Sequence, residues 1–388
     1  VELIDGIAVF GDPVDPAALD QIRRTRAHPR ARAAALMADH HKGYAVPIGG
    51  VVAYDNAISP AGVGYDIACG NKAVLTDMSG AEARAGINKI MDDVVATISF
   101  GVGRKNAERV DHDLFDDPAW AVIKKLQLRD KAADQLGTVG SGNHYVDVFV
   151  DELDRVWVGA HFGSRGFGHG IATWALEAGG ARDGMDVAPL VLDADSELGG
   201  DYIAAMTLAG RYAYAGRDWV CDRVVKILGA RKLDEVHNHH NFAWKERHDG
   251  QDVWVVRKGA TPAFPGQRGF VGGSMGDDAV ILEGVDAASD VNDRALWSTV
   301  HGAGRVMSRT AARGKRGRPG LISREEMHRW LTRRGVVLRG ADTDEAPQAY
   351  KRLPEVLAHH AGTVRVLHTL TPIGVAMAGA AEFDPYKD

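Results

Sequence analysis

The chain has little cysteine, no long apolar run and no surplus of positive charge, and each shortage narrows what it can be. Two cysteines, Cys69 and Cys221, cannot build a disulfide framework, which points to a reducing, cytoplasmic setting. No stretch approaches the roughly 18 apolar residues of a membrane span. Val1-Glu2-Leu3-Ile4-Asp5 lacks the basic-then-apolar pattern of a signal peptide. A net charge of −6 argues against wholesale nonspecific nucleic-acid binding. There is no internal repeat, low-complexity linker, Walker A loop or Rossmann fingerprint. What is present is an ordinary globular composition, 45% hydrophobic and 25% charged over 388 residues, with ample length for a large core. At roughly 150 residues per domain, that length allows two or three units or one large one.

Local signals mix helices and strands. Asp15-Pro16 reads as an N-cap and a first-turn proline opening a helix to residue 27, and residues 31–40 read as a second, short helix. Ser79 and Glu82 form a capping box for a helix to about residue 97. A long helix is expected over 201–228, closed by Gly229, with Cys221 packed inside it. Ser323 and Glu326 start a helix that Gly335 ends, and another is expected over 347–359. Strands are expected at 46–54, 145–150, 155–160, 253–257, 280–283 and near 364–370, with loops at 104–118 and 262–276. The order has no regular βαβ beat, so the expected class is α+β rather than a doubly wound sheet.

The residues suited to chemistry gather at glycine-rich turns. His301 lies between an apolar run and Gly302-Ala303-Gly304, followed by Arg305 and Arg309, four residues apart. Glycines let backbone amides approach an anion, and the arginine fork fits phosphate. His301 therefore reads as a nucleophile or base facing a phosphate, or more plainly as a hydrogen-bonded turn residue. Asp66 and Cys69 stand three apart in one glycine-rich loop, His144 and His161 each close or flank another, and His240 joins the set from its own turn before Asn241. One carboxylate, one thiolate and three imidazoles suit a borderline ion such as Mn²⁺, Zn²⁺, Fe²⁺ or Co²⁺ better than Mg²⁺ or Ca²⁺. The spacing is not that of a zinc finger, and scattered structural histidines are the plainer alternative. Within His237-Asn238-His239-His240 the residues do not say which imidazole would bind an ion. Between Arg305 and Arg339, eleven Lys/Arg stand against two acids, Glu325 and Glu326, which describes either a solvated face or a groove for polyanions. The residues alone describe a phosphate-handling metalloenzyme without choosing a reaction.

Eight motifs in series, spread over residues 49–374, add a resemblance. They are Gly64-Tyr65-Asp66-Ile67-Ala68-Cys69-Gly70, Gly140-Ser141-Gly142-Asn143-His144, His161-Phe162-Gly163-Ser164-Arg165-Gly166, His240-Asn241, Arg257-Lys258-Gly259-Ala260-Thr261 with Ala263-Phe264-Pro265, Gly273-Ser274-Met275-Gly276, His301-Gly302-Ala303-Gly304-Arg305, and Glu345-Ala346-Pro347-Gln348-Ala349-Tyr350-Lys351. Together they resemble the RtcB family of RNA-splicing ligases. The resemblance implies one large α+β domain over 1–388, with central sheets flanked by helices and a deep metal cleft. It implies GTP and two Mn²⁺ held by Asp66, Cys69, His144, His161 and His240, with Cys69 bridging and His240 preferred because it precedes Asn241. His301 would take GMP from GTP. The histidine–GMP would then activate an RNA 3′-phosphate, or one derived from a 2′,3′-cyclic phosphate, for attack by a 5′-hydroxyl in tRNA splicing or RNA repair. Arg165, Lys258, Arg305 and Arg309 match phosphate contacts. Asn143, Asn241, Ser274, Ala303 and Gly304 match nucleotide contacts, and Tyr145 and Tyr350 match an aromatic pair around the base. The basic segment would join the RNA path, and a small archease-type activator is the implied protein partner.

Departures cluster at the base and beside one ligand. Asp147 stands where the family usually has Glu, Ala279 where a serine is expected, and Met377 where a lysine meets guanine; Phe162 replaces the more usual serine after His161. A site that loses such hydrogen bonds loses discrimination, so ATP or unselective use stands beside GTP. Capping of a 3′-phosphate without joining, and a non-catalytic RNA- or metal-binding role, are the other readings. The complete ligand set and His301 argue against the last.

Overall fold

The computed structural model describes residues 1–380 apart from 183, 288, 316 and 317, so Arg316 of the basic segment and residues 381–388 lie outside the described residues. Two large, mostly antiparallel sheets organise the chain in an α+β arrangement. The first runs in the order Glu2–Ile4, Ile7–Val9, Ala31–His41, Ile48–Tyr54, Gln251–Lys258, Asn241–His248. The second runs Lys232–His239, Gly70–Ser79, Arg155–Phe162, Tyr145–Asp151, Val364–Gly379, Ala279–Gly284, Arg268–Val271, with Val337–Ala341 pairing in parallel to Val364–Gly379. The long helix Glu197–Leu228 packs Val220, Cys221, Val224 and Val225 against Val74, Val158, Ala160 and Phe162 of the second sheet. Burying a side chain of the Val or Phe class contributes about 1.5–3 kcal/mol, so this face anchors the sheet.

Register brings the chemistry to one end of that sheet. Gly70 lies opposite both Phe162 and His239, and Tyr145 lies opposite His161. Cys69, His144, His161 and His240 therefore emerge at the same edge of four neighbouring strands. In the first sheet Lys258 pairs with Gly50 and Asn241. The short pair Ala260–Pro262 with Ser298–Val300 then delivers His301 to the same region.

Local signals set several elements as expected. Asp15 caps the helix Pro16–Arg26 through the Ala17 and Ala18 amides, and the Ser79–Glu82 box caps Gly80–Thr97. Gly229 ends the long helix in the left-handed region. Residues 31–40 are not a helix but most of the strand Ala31–His41. Its Ala, Leu and Met content favours a helix locally, but pairing on both edges and near-continuous burial of small side chains between neighbours override that propensity. The helix expected over 347–359 splits into a 3₁₀ turn at Pro347–Ala349 and a helix at Leu353–Ala358, because Tyr350 is extended and bridges to Arg305. Polar strands at Lys232–His239 and Asn241–His248 occupy a stretch with little apolar alternation, and Arg268–Val271 is a strand inside the expected loop at 262–276. The final strand continues past Pro372 by a bulge to Gly379. Among the described residues no helix is long and apolar enough to cross a membrane.

Candidate active site

A cavity of about 770 Å³ opens at this shared edge, lined by Asp66, Cys69, His144, His161, His240 and His301 among others. A separate apolar hollow of about 920 Å³ beside Leu353, Leu357 and Val364 contains none of the residues singled out in the sequence.

Cys69 is the centre of the first cavity. Its Sγ lies 3.3 Å from His161 Nε2 and 3.6 Å from His144 Nε2, and His144 Nε2 is 3.0 Å from Asp66 Oδ2. The thiol belongs to two sets of potential ligands, Cys69–His161–His240 and Asp66–Cys69–His144, each with its ligand atoms within 4.8 Å of one another. Main-chain carbonyls fix two of the rings. His144 Nδ1 meets Val139 O at 3.0 Å and His161 Nδ1 meets Asn143 O at 2.9 Å. A carbonyl only accepts, so both Nδ1 atoms carry the proton; the His161 Nε2 lone pair faces the thiol, while His144 Nε2 lies between the thiol and the Asp66 carboxylate. His240 Nδ1 is buried with no hydrogen-bond partner.

Electrostatics favour neutral rings at His161 and His240. Burial, reinforced by nearby His144 and His301, depresses His161 to about 3, and burial with His301 and His161 pushes His240 well below its ordinary value. Burial raises Asp66, but the His144 hydrogen bond and charge, with Arg165, more than offset it and bring the carboxyl to about 2. Burial and the Asp66 carboxylate push the Cys69 thiol well up. A buried thiol among imidazole nitrogens and one carboxylate is a donor set compatible with a soft or borderline cation. The shared thiol gives that donor set two adjacent positions. Gly163 is needed here for space, since a Cβ would overlap the Asp66 carboxylate.

His301 joins the edge of this cluster, its ring centroid 4.8 Å from that of His240. Its Nδ1 lies 2.6 Å from Asp39 Oδ2, a contact too bent for a well-aligned hydrogen bond. The same oxygen accepts the backbone N–H of His301 at 3.0 Å and of Gly302 at 3.3 Å. Burial works to raise Asp39, and the adjacent His301 outweighs it, so the carboxyl stays below the usual range. Gly304, at φ +77°, lets the turn lie against the Asp39 carbonyl, where a Cβ would collide. Sequence reasoning missed Asp39 because the strand that carries it read as a helix.

The remaining residues surround this centre. Asn241 Oδ1 accepts the Gly259 N–H at 2.7 Å and its Nδ2 reaches Asp66 O at 3.3 Å. Lys258 Nζ donates to Tyr44 O and Val46 O. Arg165 opens its helix at φ 58°, a sparsely populated backbone region, and places Nη1 3.4 Å from His144 Nδ1. Arg305 donates to Met307 O, Asp344 O and Tyr350 Oη, with its guanidinium 4.9 Å over the Tyr350 ring, and Arg309 pairs with Asp344 and Glu345. Asn143, Ser274, Ala303 and Gly304 also line the cavity, and Ser274 Oγ donates to Asp277. Tyr145 and Tyr350 line it too, but each is engaged elsewhere: Tyr145 packs against His161 at 5.4 Å and Tyr350 lies under Arg305. Asp147 is 5% exposed with Oδ1 unpartnered, and burial drives its carboxyl well up despite the Ala376 amide. Val375 lies opposite Asp147, and Met377 lies opposite Tyr145. Phe162 points into the core under the long helix, away from the thiol, as strand alternation from His161 requires. His237 and His239 turn to Arg217 instead of the cavity, which separates them from His240.

The donor set is compatible with a metal site, and it adjoins a carboxylate-backed histidine in a cavity rimmed by arginines, groups whose chemistry suits phosphate. The family follows from comparison with known proteins. Residues 21–127 and 117–378 match the family model described as tRNA-splicing ligase RtcB, and the chain belongs to that family. It is 30% identical over 399 residues to the RNA-splicing ligase RtcB of Escherichia coli K12, covering 94% of each chain. It is 32% identical over 428 residues to the tRNA-splicing ligase RtcB of Thermococcus kodakarensis and 33% over 434 residues to that of Pyrobaculum aerophilum, in both cases covering 88% of this chain and 86% of the relative.

Proposed function

We propose that the protein is a GTP- and Mn²⁺-dependent ligase that joins RNA 3′-phosphate or 2′,3′-cyclic phosphate ends to 5′-hydroxyl ends through a histidine–GMP intermediate. The observation that carries this reading is the contact of His301 with Asp39 at the rim of the Cys69 cluster, inside one cavity. Asp66, Cys69, His144, His161 and His240 would hold two ions, with the Cys69 thiolate common to both positions. Bound there, the ions supply positive charge against the phosphates and favour in-line geometry.

The chain's own groups account for the rest. Asp39 engages His301 Nδ1, which leaves Nε2 as the nitrogen with the free lone pair. That nitrogen attacks the α-phosphorus of GTP; the N–P bond forms as the bond to pyrophosphate breaks, and Asp39 stabilises the positive charge that develops on the ring. Arg165, Lys258, Arg305 and Arg309 would hold phosphate oxygens, with guanidinium forks suited to that geometry. Asn143, Asn241, Ser274, Ala303 and Gly304 would hold the nucleotide, and Tyr145, Asp147 and Tyr350 would surround the base. An RNA 3′-phosphate oxygen then takes GMP from His301, and a 5′-hydroxyl displaces GMP to form the phosphodiester. The same reading takes tRNA or damaged RNA ends as substrate, an archease-type protein as activator and the cytoplasm as the setting.

Incubation with α-³²P-GTP and Mn²⁺, followed by a denaturing gel, tests the first step. An acid-labile labelled band is expected in the wild type and not in His301→Ala. Metal-loaded protein that takes no label from GTP or ATP would sink the ligase reading. Label transfer without a joined product from a 3′-phosphate/5′-hydroxyl RNA pair would favour capping instead.

A further inference from the structure

Arg217 lies in the middle of the long helix and is fully buried, yet among the described residues none of its hydrogen-bond partners is a carboxylate. Its Nη1 donates to Ala68 O at 3.0 Å and to Phe162 O, its Nε donates to His237 Nε2 at 2.8 Å, and its Nη2 lies 3.0 Å from His239 Nδ1. A guanidinium only donates, so both imidazole nitrogens are acceptors. Three of these partners are chain neighbours of cluster residues: Ala68 precedes Cys69, Phe162 follows His161 and His239 precedes His240. One rigid fork thus ties together the segments that carry all three members of the Cys69–His161–His240 set. The Asp66–Cys69–His144 set shares only Cys69 with it. Burying an arginine without a carboxylate partner is costly, and packing alone would be served by an apolar residue on this helix face.

We infer that Arg217 is a positioning residue for one of the two ion positions, the one formed by Cys69, His161 and His240, and leaves the other largely to Asp66 and His144. The inference rests on the metal reading proposed above. Outer partners of this kind typically change metal affinity by about 10–100-fold when lost, and that is the effect expected at one position only.

Cobalt titration of the metal-free full chain tests it, read by the thiolate-to-cobalt charge-transfer band and the ligand-field bands. The wild type should take up two equivalents. Arg217→Lys keeps the charge and loses the fork, so one equivalent should weaken about 10–100-fold and the other remain near wild type. Asp66→Asn should weaken the opposite equivalent. Should circular dichroism show Arg217→Lys unfolded, His239→Phe decides the matter, since it removes one acceptor and leaves Arg217 in place; the same equivalent should weaken. A folded Arg217→Lys that binds both equivalents normally, or loses both alike, overturns the inference, as does an unaffected His239→Phe in the other case. A wild type that takes up no cobalt overturns the metal reading and this inference with it.

Discussion

Replacing Asp39 with Asn changes one oxygen to an amide nitrogen behind His301, and the geometry decides which. Oδ2 accepts two backbone N–H groups and faces the His301 ring nitrogen, whereas Oδ1 is buried and unpartnered. An amide NH₂ at the Oδ2 position would confront three donors, so the oxygen stays there and the nitrogen takes the Oδ1 place. The His301 tautomer is therefore retained, and what disappears is the negative charge behind it. Hydrogen bonds to charged groups contribute about 1.5–3 kcal/mol, and neutral ones about half as much. Losing the charge as Nε2 bonds to phosphorus therefore costs the difference, about 0.75–1.5 kcal/mol of the barrier, or about 4–13-fold in rate. The orphaned NH₂ adds about 1–3 kcal/mol of destabilisation. Single-turnover label transfer from α-³²P-GTP measures the first and urea unfolding the second. A labelling rate within about threefold of wild type would refute the role assigned to Asp39. A drop of about 10⁴-fold would show that the amide turned the other way and the tautomer was lost.

Two further outcomes follow from the electrostatics. His161 titrates near 3 in the fold, far below its ordinary 6.5, so between those values the unfolded chain binds more protons. Stability of the metal-free protein should therefore fall as pH drops from 7 to 5, by about 2 kcal/mol from His161 alone. Urea midpoints that hold steady or rise over that range would contradict neutral buried imidazoles. At the base end, Met377→Lys places an ammonium diagonally across the strand pair from Asp147, within reach of a long side chain. It should favour the ionised carboxylate and raise labelling from GTP relative to ATP; an unchanged ratio in competition labelling would remove Asp147 from base selection.

Much of the site could be read from the sequence as residues, and little of it as relations. Asp66, Cys69, His144 and His161 stood out because each adjoins glycine-rich backbone and His240 because it ends a histidine-rich run before Asn241, and the fold brings all five to one cavity. Helix ends were legible where local chemistry sets them, as at Asp15, Ser79 and Gly229. Strands set by partners rather than by their own pattern were not. Ala31–His41 has helix-favouring side chains that only tertiary pairing turns into a strand, and Lys232–His239 has too few apolar residues to alternate. The first misreading concealed Asp39, whose place behind His301 depends on a strand end 262 residues away in sequence.

Arg217 presents the opposite case, because its signal was local and went unread. Ala209, Ala213, Cys221 and Val224 form a buried stripe at helical spacing, and Arg217 occupies the middle of it. A charged residue in such a stripe needs buried acceptors, and a helix supplies none sideways, so they must come from whatever the helix covers. Here the helix covers the end of the second sheet, where the main-chain carbonyls beside Cys69 and His161 lie near the strand termini. The ladder there runs out as the chain turns to present the cluster side chains, and carbonyls at that point require a donor from elsewhere. Placing ion ligands at strand ends thus creates the unmet acceptors that a buried guanidinium fills. A polar interruption of an apolar helix stripe is for this reason an indication of the site beneath it, legible once the sheet's edge is known.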